Sequence, residues 1–78
     1  MILIDVRTKE EYHAGHIEGA ILFDIMDIMQ GSYPDYPKDT EISLYCESGN
    51  RSMMAKTMLE KAGFTKITDV GSIDNLRE

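Results

Sequence analysis

One residue of this 78-residue chain has the chemistry of a strong nucleophile: Cys46, at the head of the run Cys46-Glu47-Ser48-Gly49-Asn50-Arg51. The residues behind it suit a thiolate that must hold an anion. Gly49 permits backbone conformations that other residues resist. Ser48 and Asn50 offer the local hydrogen bonds that shape a turn, and Arg51 carries a planar fork able to clamp an anionic group. Successive N–H groups in a tight loop form an anion-binding nest, and a helix starting near Arg51 adds unpaired N–H groups and a positive dipole end. The same field lowers the pKa of a cysteine from its usual value of about 8.5 and yields a nucleophile without a histidine base. A lone cysteine is also often a buried structural thiol, and its place between a strand and a helix is what favours chemistry. The candidate catalytic residue is therefore Cys46, with Glu47, Ser48, Gly49, Asn50 and Arg51 as candidate substrate-binding residues. Glu47 sets a carboxylate beside a site meant for anions, which predicts poor use of a dianionic substrate.

The elements that must position this loop follow from pattern. Ile2 to Val6 is short, apolar and β-branched, and reads as a buried strand. Thr8-Lys9-Glu10-Glu11 has capping-box spacing, so a short helix starts there and Gly15 is expected to end it in the left-handed conformation. Ala20 to Phe23 is a weaker strand candidate. Asp24 to Gln30 has an amphipathic helical pattern, and the following stretch, with Pro34 and Pro37, reads as a loop. Glu41 to Tyr45 is a strand that ends at Cys46. The clearest helix runs from Arg51 or Ser52 to Ala62, with Met54, Ala55, Met58, Leu59 and Ala62 along one face. Gly63 stops it, and Phe64 can pack back on the last turn. Lys66 to Val70 is a last strand, Gly71-Ser72 a turn, and Ile73 to Arg77 a closing helical turn. Strands alternating with helices imply an α/β domain with a mostly parallel sheet of about four strands and helices on both faces. In such sheets ligands bind at the carboxyl ends of strands, near a switch in strand order.

Composition narrows the function. Residues 1–78 leave room for one domain, and 42% hydrophobic with 28% charged residues is ordinary for a globular protein. A single cysteine excludes an internal disulfide and a thiolate zinc cluster, and it fits a reducing compartment. No stretch approaches the ~18 apolar residues of a membrane span, and Ile2-Leu3-Ile4 is too short for a signal peptide, so a cytoplasmic location is the default. The net charge of −6, with fourteen acidic and eight basic residues, disfavours nucleic acid and anionic membranes as partners.

Two segments resemble the rhodanese homology family. Leu3-Ile4-Asp5-Val6-Arg7-Thr8-Lys9-Glu10-Glu11-Tyr12-His13-Ala14-Gly15-His16-Ile17-Glu18-Gly19-Ala20 is similar to its amino-terminal signature, with Asp-x-Arg, Glu-Tyr, Gly-His-Ile and Gly-Ala as fixed points. Cys46-Glu47-Ser48-Gly49-Asn50-Arg51-Ser52 resembles its active-site loop, Cys-x-x-Gly-x-Arg-Ser. The resemblance implies a small rhodanese-like domain whose Cys46 strand lies beside the Ile2–Val6 strand at the topological switch. It implies a sulfurtransferase. Cys46 takes the sulfane sulfur of a donor (thiosulfate, a persulfide or a polysulfide), holds it as a persulfide cradled by the loop N–H groups, and yields it to a thiol or to cyanide. No cofactor or metal enters that chemistry. Family members usually have a further strand and helix before the first motif and a tryptophan near the end. Here Gly71-Ser72-Ile73-Asp74-Asn75-Leu76 stands in the corresponding stretch, so a minimal or truncated domain is expected.

Two alternatives share the loop. Cysteine phosphatases of related design place five residues between cysteine and arginine, whereas four stand here, a ring that suits one sulfur better than a phosphoryl group. A carrier or interaction module that passes sulfur to a protein partner needs the same Cys46 and Arg51. Other residues read as scaffold. Asp5 and Arg7 are expected to pair with each other or with Glu11, which is claimed both by a cap and by an ion pair. His16 is expected to fix the turn before Gly19, and no metal or base role falls to it or to His13. The six methionines read as flexible core filler, with a partner surface at Met26 and Met29 as the alternative. Tyr33 and Tyr36 are candidates to border the site.

Overall fold

A computed structural model describes residues 1–77. Four parallel strands, β1 (Ile2–Asp5), β2 (Ile21–Leu22), β3 (Ile42–Cys46) and β4 (Ile67–Ser72), form one sheet in the order β2-β1-β3-β4. The chain first steps from β1 to one side, then returns to place β3 and β4 on the other. The carboxyl ends of β1 and β3 therefore flank the switch in strand order, where ligand sites of parallel sheets lie.

Alternation along the strands sorts the two faces. Ile4 and Val6 from the first strand and its end, Ile42, Leu44 and Cys46 from β3, and Ile67 from β4 point to one side. There they pack with Ile25 and Ile28 of α2 (Ile25–Met29) and with Ala55 and Leu59 of α3 (Asn50–Lys61). Tyr45, with Leu3 and Val70 beside it, faces the other side, against Ala20, Ile17 and the 3-10 turn Ile73–Leu76. This second layer is thin. The six-residue helix α1 (Lys9–Ala14) buries no residue of its own and is tied in by the Tyr12 hydroxyl donating to Ala20 O at 2.7 Å.

The caps follow the sequence in most places. Thr8 and Glu11 complete the capping box of α1, and Asp24 caps α2. At the end of α3 the N–H of Phe64 reaches Leu59 O and that of Gly63 reaches Glu60 O, both at 3.0 Å, with Phe64 buried. That is the two-bond glycine stop in which the residue after the glycine packs on the last turn. Gly15 does end α1, but at φ 153° and ψ 123°. This is a positive-φ glycine conformation outside the expected left-handed helical one, with the Gly15 N–H still bonded to Tyr12 O at 3.2 Å.

Three further expectations are corrected. β2 shrinks to Ile21–Leu22, since Ala20 turns into the second-face core and Phe23 already leads to the Asp24 cap. Gly71-Ser72 is not a turn but the end of β4, where a bulge opposite Leu44 and Tyr45 uses Gly71 at φ +89°. The methionines are mostly not core. Met1, Met26, Met29, Met53 and Met54 are exposed, and Met58 alone of the six packs against the core. The buried stripe of α3 runs through Ser52, Ala55 and Leu59, so Met54 falls to its flank.

Candidate active site

The site is built where β3 meets α3. β3 is buried at all five positions, which fixes its axis and delivers Cys46 to the carboxyl end of the sheet. The chain then turns through residues 47–49, and Gly49 serves as the N-cap of α3 at φ 100° and ψ −14°, a left-handed conformation open to glycine. This places the first turn of α3 over the sulfur. The N–H of Gly49 donates to Cys46 Sγ at 2.9 Å, and the thiol lies 3.6 Å from Ser52 Oγ. Burial pushes the Cys46 thiol up, but hydrogen bonds from the Ser52 hydroxyl and from the N–H groups of Ser52, Gly49 and Ser48 outweigh it and hold the group below its ordinary value. The thiol is thus easier to ionise than an ordinary cysteine, and its hydrogen bonds involve no histidine among the described residues. Cys46 is fully buried beneath this loop.

Ser52 belongs to the site though it stands outside the candidate loop residues. It is buried, and its hydroxyl donates to Gly49 O at 3.1 Å, with Gly71 O at 3.5 Å. The signal was present as the Ser after Arg51 and as a polar residue on the buried stripe of a helix. The loop also leans on β4: the Ser72 hydroxyl donates to Glu47 O at 2.8 Å, and a Cβ on Gly49 would lie 3.6 Å from Gly71 Cα.

Two ion pairs join the loop to the first sixteen residues. Asp5 and Arg7 are both buried. Asp5 accepts from the Arg7 backbone N–H, from Nε and Nη2 of the same arginine, and from the Tyr45 hydroxyl at 2.8 Å. Arg7 also donates from Nη2 to Gly15 O at 2.7 Å and from Nη1 to Glu47 Oε1 at 2.9 Å. The Asp5 hydrogen bond holds the guanidinium far above its ordinary value. Burial raises the Tyr45 hydroxyl to about 12, so it stays a neutral donor to Asp5 while accepting the Ile17 N–H at 3.1 Å.

The second pair corrects the expected partner of Glu11. Its carboxylate meets neither Asp5 nor Arg7 but Arg51, at 2.6 and 2.9 Å in a two-point clasp, while Oε1 still accepts the Thr8 N–H at 3.2 Å. Cap and ion pair are satisfied together. Both terminal nitrogens of Arg51, expected to be open toward an anion, are engaged by this carboxylate. Arg51, then burial in the opposite sense, then the Thr8 hydrogen bonds set the Glu11 carboxyl, which lies at about 2.

The remaining candidates lie apart from this network. His16 Nδ1 is 2.9 Å from Tyr12 O and its ring stacks on Tyr12 at 3.7 Å, which pins the turn toward Gly19. Tyr33 faces Lys38, and Tyr36 packs against the main core. Met29, Met53, Met54, Thr57 and Met58 line a shallow groove between α2 and α3, next to the loop along α3. Among the described residues, no helix is long and apolar enough to cross a membrane.

The profile of the Rhodanese-like domain family matches residues 1–75. The chain belongs to that family. It is 32% identical over 76 residues to the thiosulfate sulfurtransferase PspE of Escherichia coli, a match covering 94% of this chain and 71% of that protein. It is 34% identical over 68 residues to the putative sulfur carrier protein YrkF of Bacillus subtilis, covering 87% of this chain and 36% of that one. Among solved structures, a rhodanese with anions from E. coli superposes with a TM-score of 0.82 at 29% identity, over 97% of this chain and 91% of that one. The chain spans between 18% and 65% of the length of seven other curated relatives, which therefore carry further segments that the match does not reach.

Proposed function

We propose that this chain is a single rhodanese-type domain that transfers sulfane sulfur through a persulfide on Cys46. The observation that carries the reading is the seat of Cys46 Sγ. It lies at the carboxyl end of β3, receives the Gly49 N–H at 2.9 Å, and sits under the first turn of α3. The Cys46 thiolate attacks the outer sulfur of a donor. A new S–S bond forms, the donor's sulfur bond breaks, and the donor's remainder leaves with that electron pair. The outer sulfur then rests against the N–H groups between Glu47 and Arg51. A thiolate or cyanide attacks it, and Cys46 departs as the thiolate it began as. Electrons are exchanged only between donor and acceptor, so the cycle calls for no external oxidant, reductant or cofactor. Relatives named as sulfurtransferases and as a putative sulfur carrier support transfer of this kind.

Intact mass spectrometry tests the reading. Incubation with a sulfane donor should add one sulfur, cyanide should strip it, and Cys46→Ser should gain none. Sulfur uptake by Cys46→Ser would remove Cys46 from the mechanism. A carrier that delivers to a protein is the second reading, favoured by the exposed Met53 and Met54 immediately beyond Arg51. It predicts that the loaded Cys46 discharges to a protein thiol much faster than to cyanide.

A further inference from the structure

Three carboxylates surround two guanidinium groups at this site. Arg51 gives both terminal nitrogens to Glu11 at 2.6 and 2.9 Å. Arg7 divides its side-chain donors among Asp5, the Gly15 carbonyl and Glu47. Among the described residues no other cation makes a hydrogen bond or ion pair with the loop. With Asp5, Glu11 and Glu47 against Arg7 and Arg51, the local sum is one net negative charge before the thiolate is counted. The donors that carry no carboxylate beside them are the backbone N–H groups, and that of Gly49 addresses the sulfur of Cys46.

Thiosulfate carries two negative charges, and its sulfonate end needs a cation. Here each cation is already shared with a carboxylate, Arg51 with Glu11 and Arg7 with Asp5 and Glu47, so a sulfonate must compete with a carboxylate for either one. An alkyl persulfide asks for less. It is neutral or singly charged, its charge sits on the sulfur that the N–H groups can hold, and its organic half brings no sulfonate to place. From this we infer that the site selects alkyl persulfides over thiosulfate, and that Glu47 and Glu11 are the residues that set the selection. The inference rests on the sulfurtransferase reading and names its donor class.

The loading step balances without a further reagent. The Cys46 thiolate attacks the outer sulfur of R–S–SH. The donor's S–S bond breaks and R–S⁻ leaves with its electron pair. The outer sulfur keeps its proton, giving Cys46–S–SH.

Single-turnover loading of Cys46, quenched and counted by intact mass, tests the selection with 2-hydroxyethyl persulfide, which carries at most one charge, and thiosulfate as the two donors. Three substitutions are compared: Glu47→Gln and Glu11→Gln at the site, and Glu41→Gln at the far, amino-terminal end of β3, where Glu41 is exposed. Each changes the net charge by the same amount. 2-Hydroxyethyl persulfide should load the wild type faster than thiosulfate. Removing one charge at close range should raise the thiosulfate rate about fivefold or more in Glu47→Gln and Glu11→Gln, since a unit charge about 4 Å away is worth about that factor even in water. Glu41→Gln should leave it where it was. Raising the salt should narrow the gap between the wild type and the two site variants.

Faster loading of the wild type by thiosulfate would overturn the inference while leaving the sulfurtransferase reading intact. So would an equal response of Glu47→Gln, Glu11→Gln and Glu41→Gln to thiosulfate. Failure of both donors to place sulfur on wild-type Cys46 would instead remove the sulfurtransferase reading, and the donor selection with it.

Discussion

Glu11→Gln separates two jobs that a single carboxylate performs. Glutamine is accepted at the third helical position of a capping box, so the variant keeps the hydrogen bond from the Thr8 N–H and loses only the charge on Arg51. The Glu11 carboxyl is held at about 2 against an ordinary 4.5, by Arg51 first of all. At about 1.36 kcal/mol per pH unit that interval is worth roughly 3.4 kcal/mol. The two side chains are 32% and 31% exposed, and solvent screening brings the expected loss down to about 1–2 kcal/mol. For a domain of this size that is a fall in Tm of roughly 4–16 °C. The pH dependence has a fixed sign. A carboxyl whose folded pKa lies below its unfolded one stabilises fully above the unfolded value and loses that contribution as pH drops toward the folded value. The gap between wild type and Glu11→Gln should therefore be full at pH 7, shrink below pH 4.5 and close near pH 2. Urea unfolding followed by far-UV circular dichroism at pH 7, 4 and 3 reads it. Equal stabilities at pH 7, or a gap that persists undiminished at pH 3, would refute the claim that the Arg51 clasp holds this carboxylate. Glu11→Ala should cost about 1 kcal/mol more, because it also removes the cap bond.

Two other outcomes are expected. Ser52→Ala should shift the pH profile of Cys46 alkylation upward, because burial then acts against fewer hydrogen bonds; an unmoved profile would show that the hydroxyl does not support the thiolate. Tyr45→Phe should destabilise the fold by about 1–3 kcal/mol in urea melts, since Asp5 Oδ2 loses a donor and the Ile17 N–H loses its acceptor inside the protein.

The local features of the site were legible in the sequence. The apolar run before Cys46, the glycine three residues on and the helical spacing after Arg51 needed no partner elsewhere to be read, and each element formed within a residue or two of its expected bounds. The Thr8–Glu11 cap was legible for the same reason. The pairings across the site were not. Arg7 with Glu47 and Arg51 with Glu11 each span 40 positions, and only the packing of α1 and the loop against adjacent strand ends chooses among the charges on offer. The Gly71 bulge escaped for a related reason. Gly-Ser marks a turn locally, and only alignment with Leu44 and Tyr45 of β3 keeps it in the strand. The methionines misled because helical spacing says which residues share a face but not how much of that face a thin domain can cover.

The glycines that shape the loop also bear on how this protein can change. Gly49 and Gly71 lie against one another, both with positive φ, and a Cβ on Gly71 would come within 3.2 Å of the Asn75 amide. A substitution at either would have to be accommodated by two chain segments at once. Glu47, Ser48 and Asn50 stand between and beside them, exposed or partly so, and no buried polar side-chain atom among the described residues depends on the side chains of Ser48 or Asn50. The hinge of the loop is therefore closed to variation while its outer face is open. Mutations at 48 and 50 can retune which donor or acceptor is met without disturbing the seat of Cys46, whereas one at 47 also removes an acceptor from the buried Arg7. The fold thus separates what must be inherited unchanged from what a lineage, or a designer, can afford to vary.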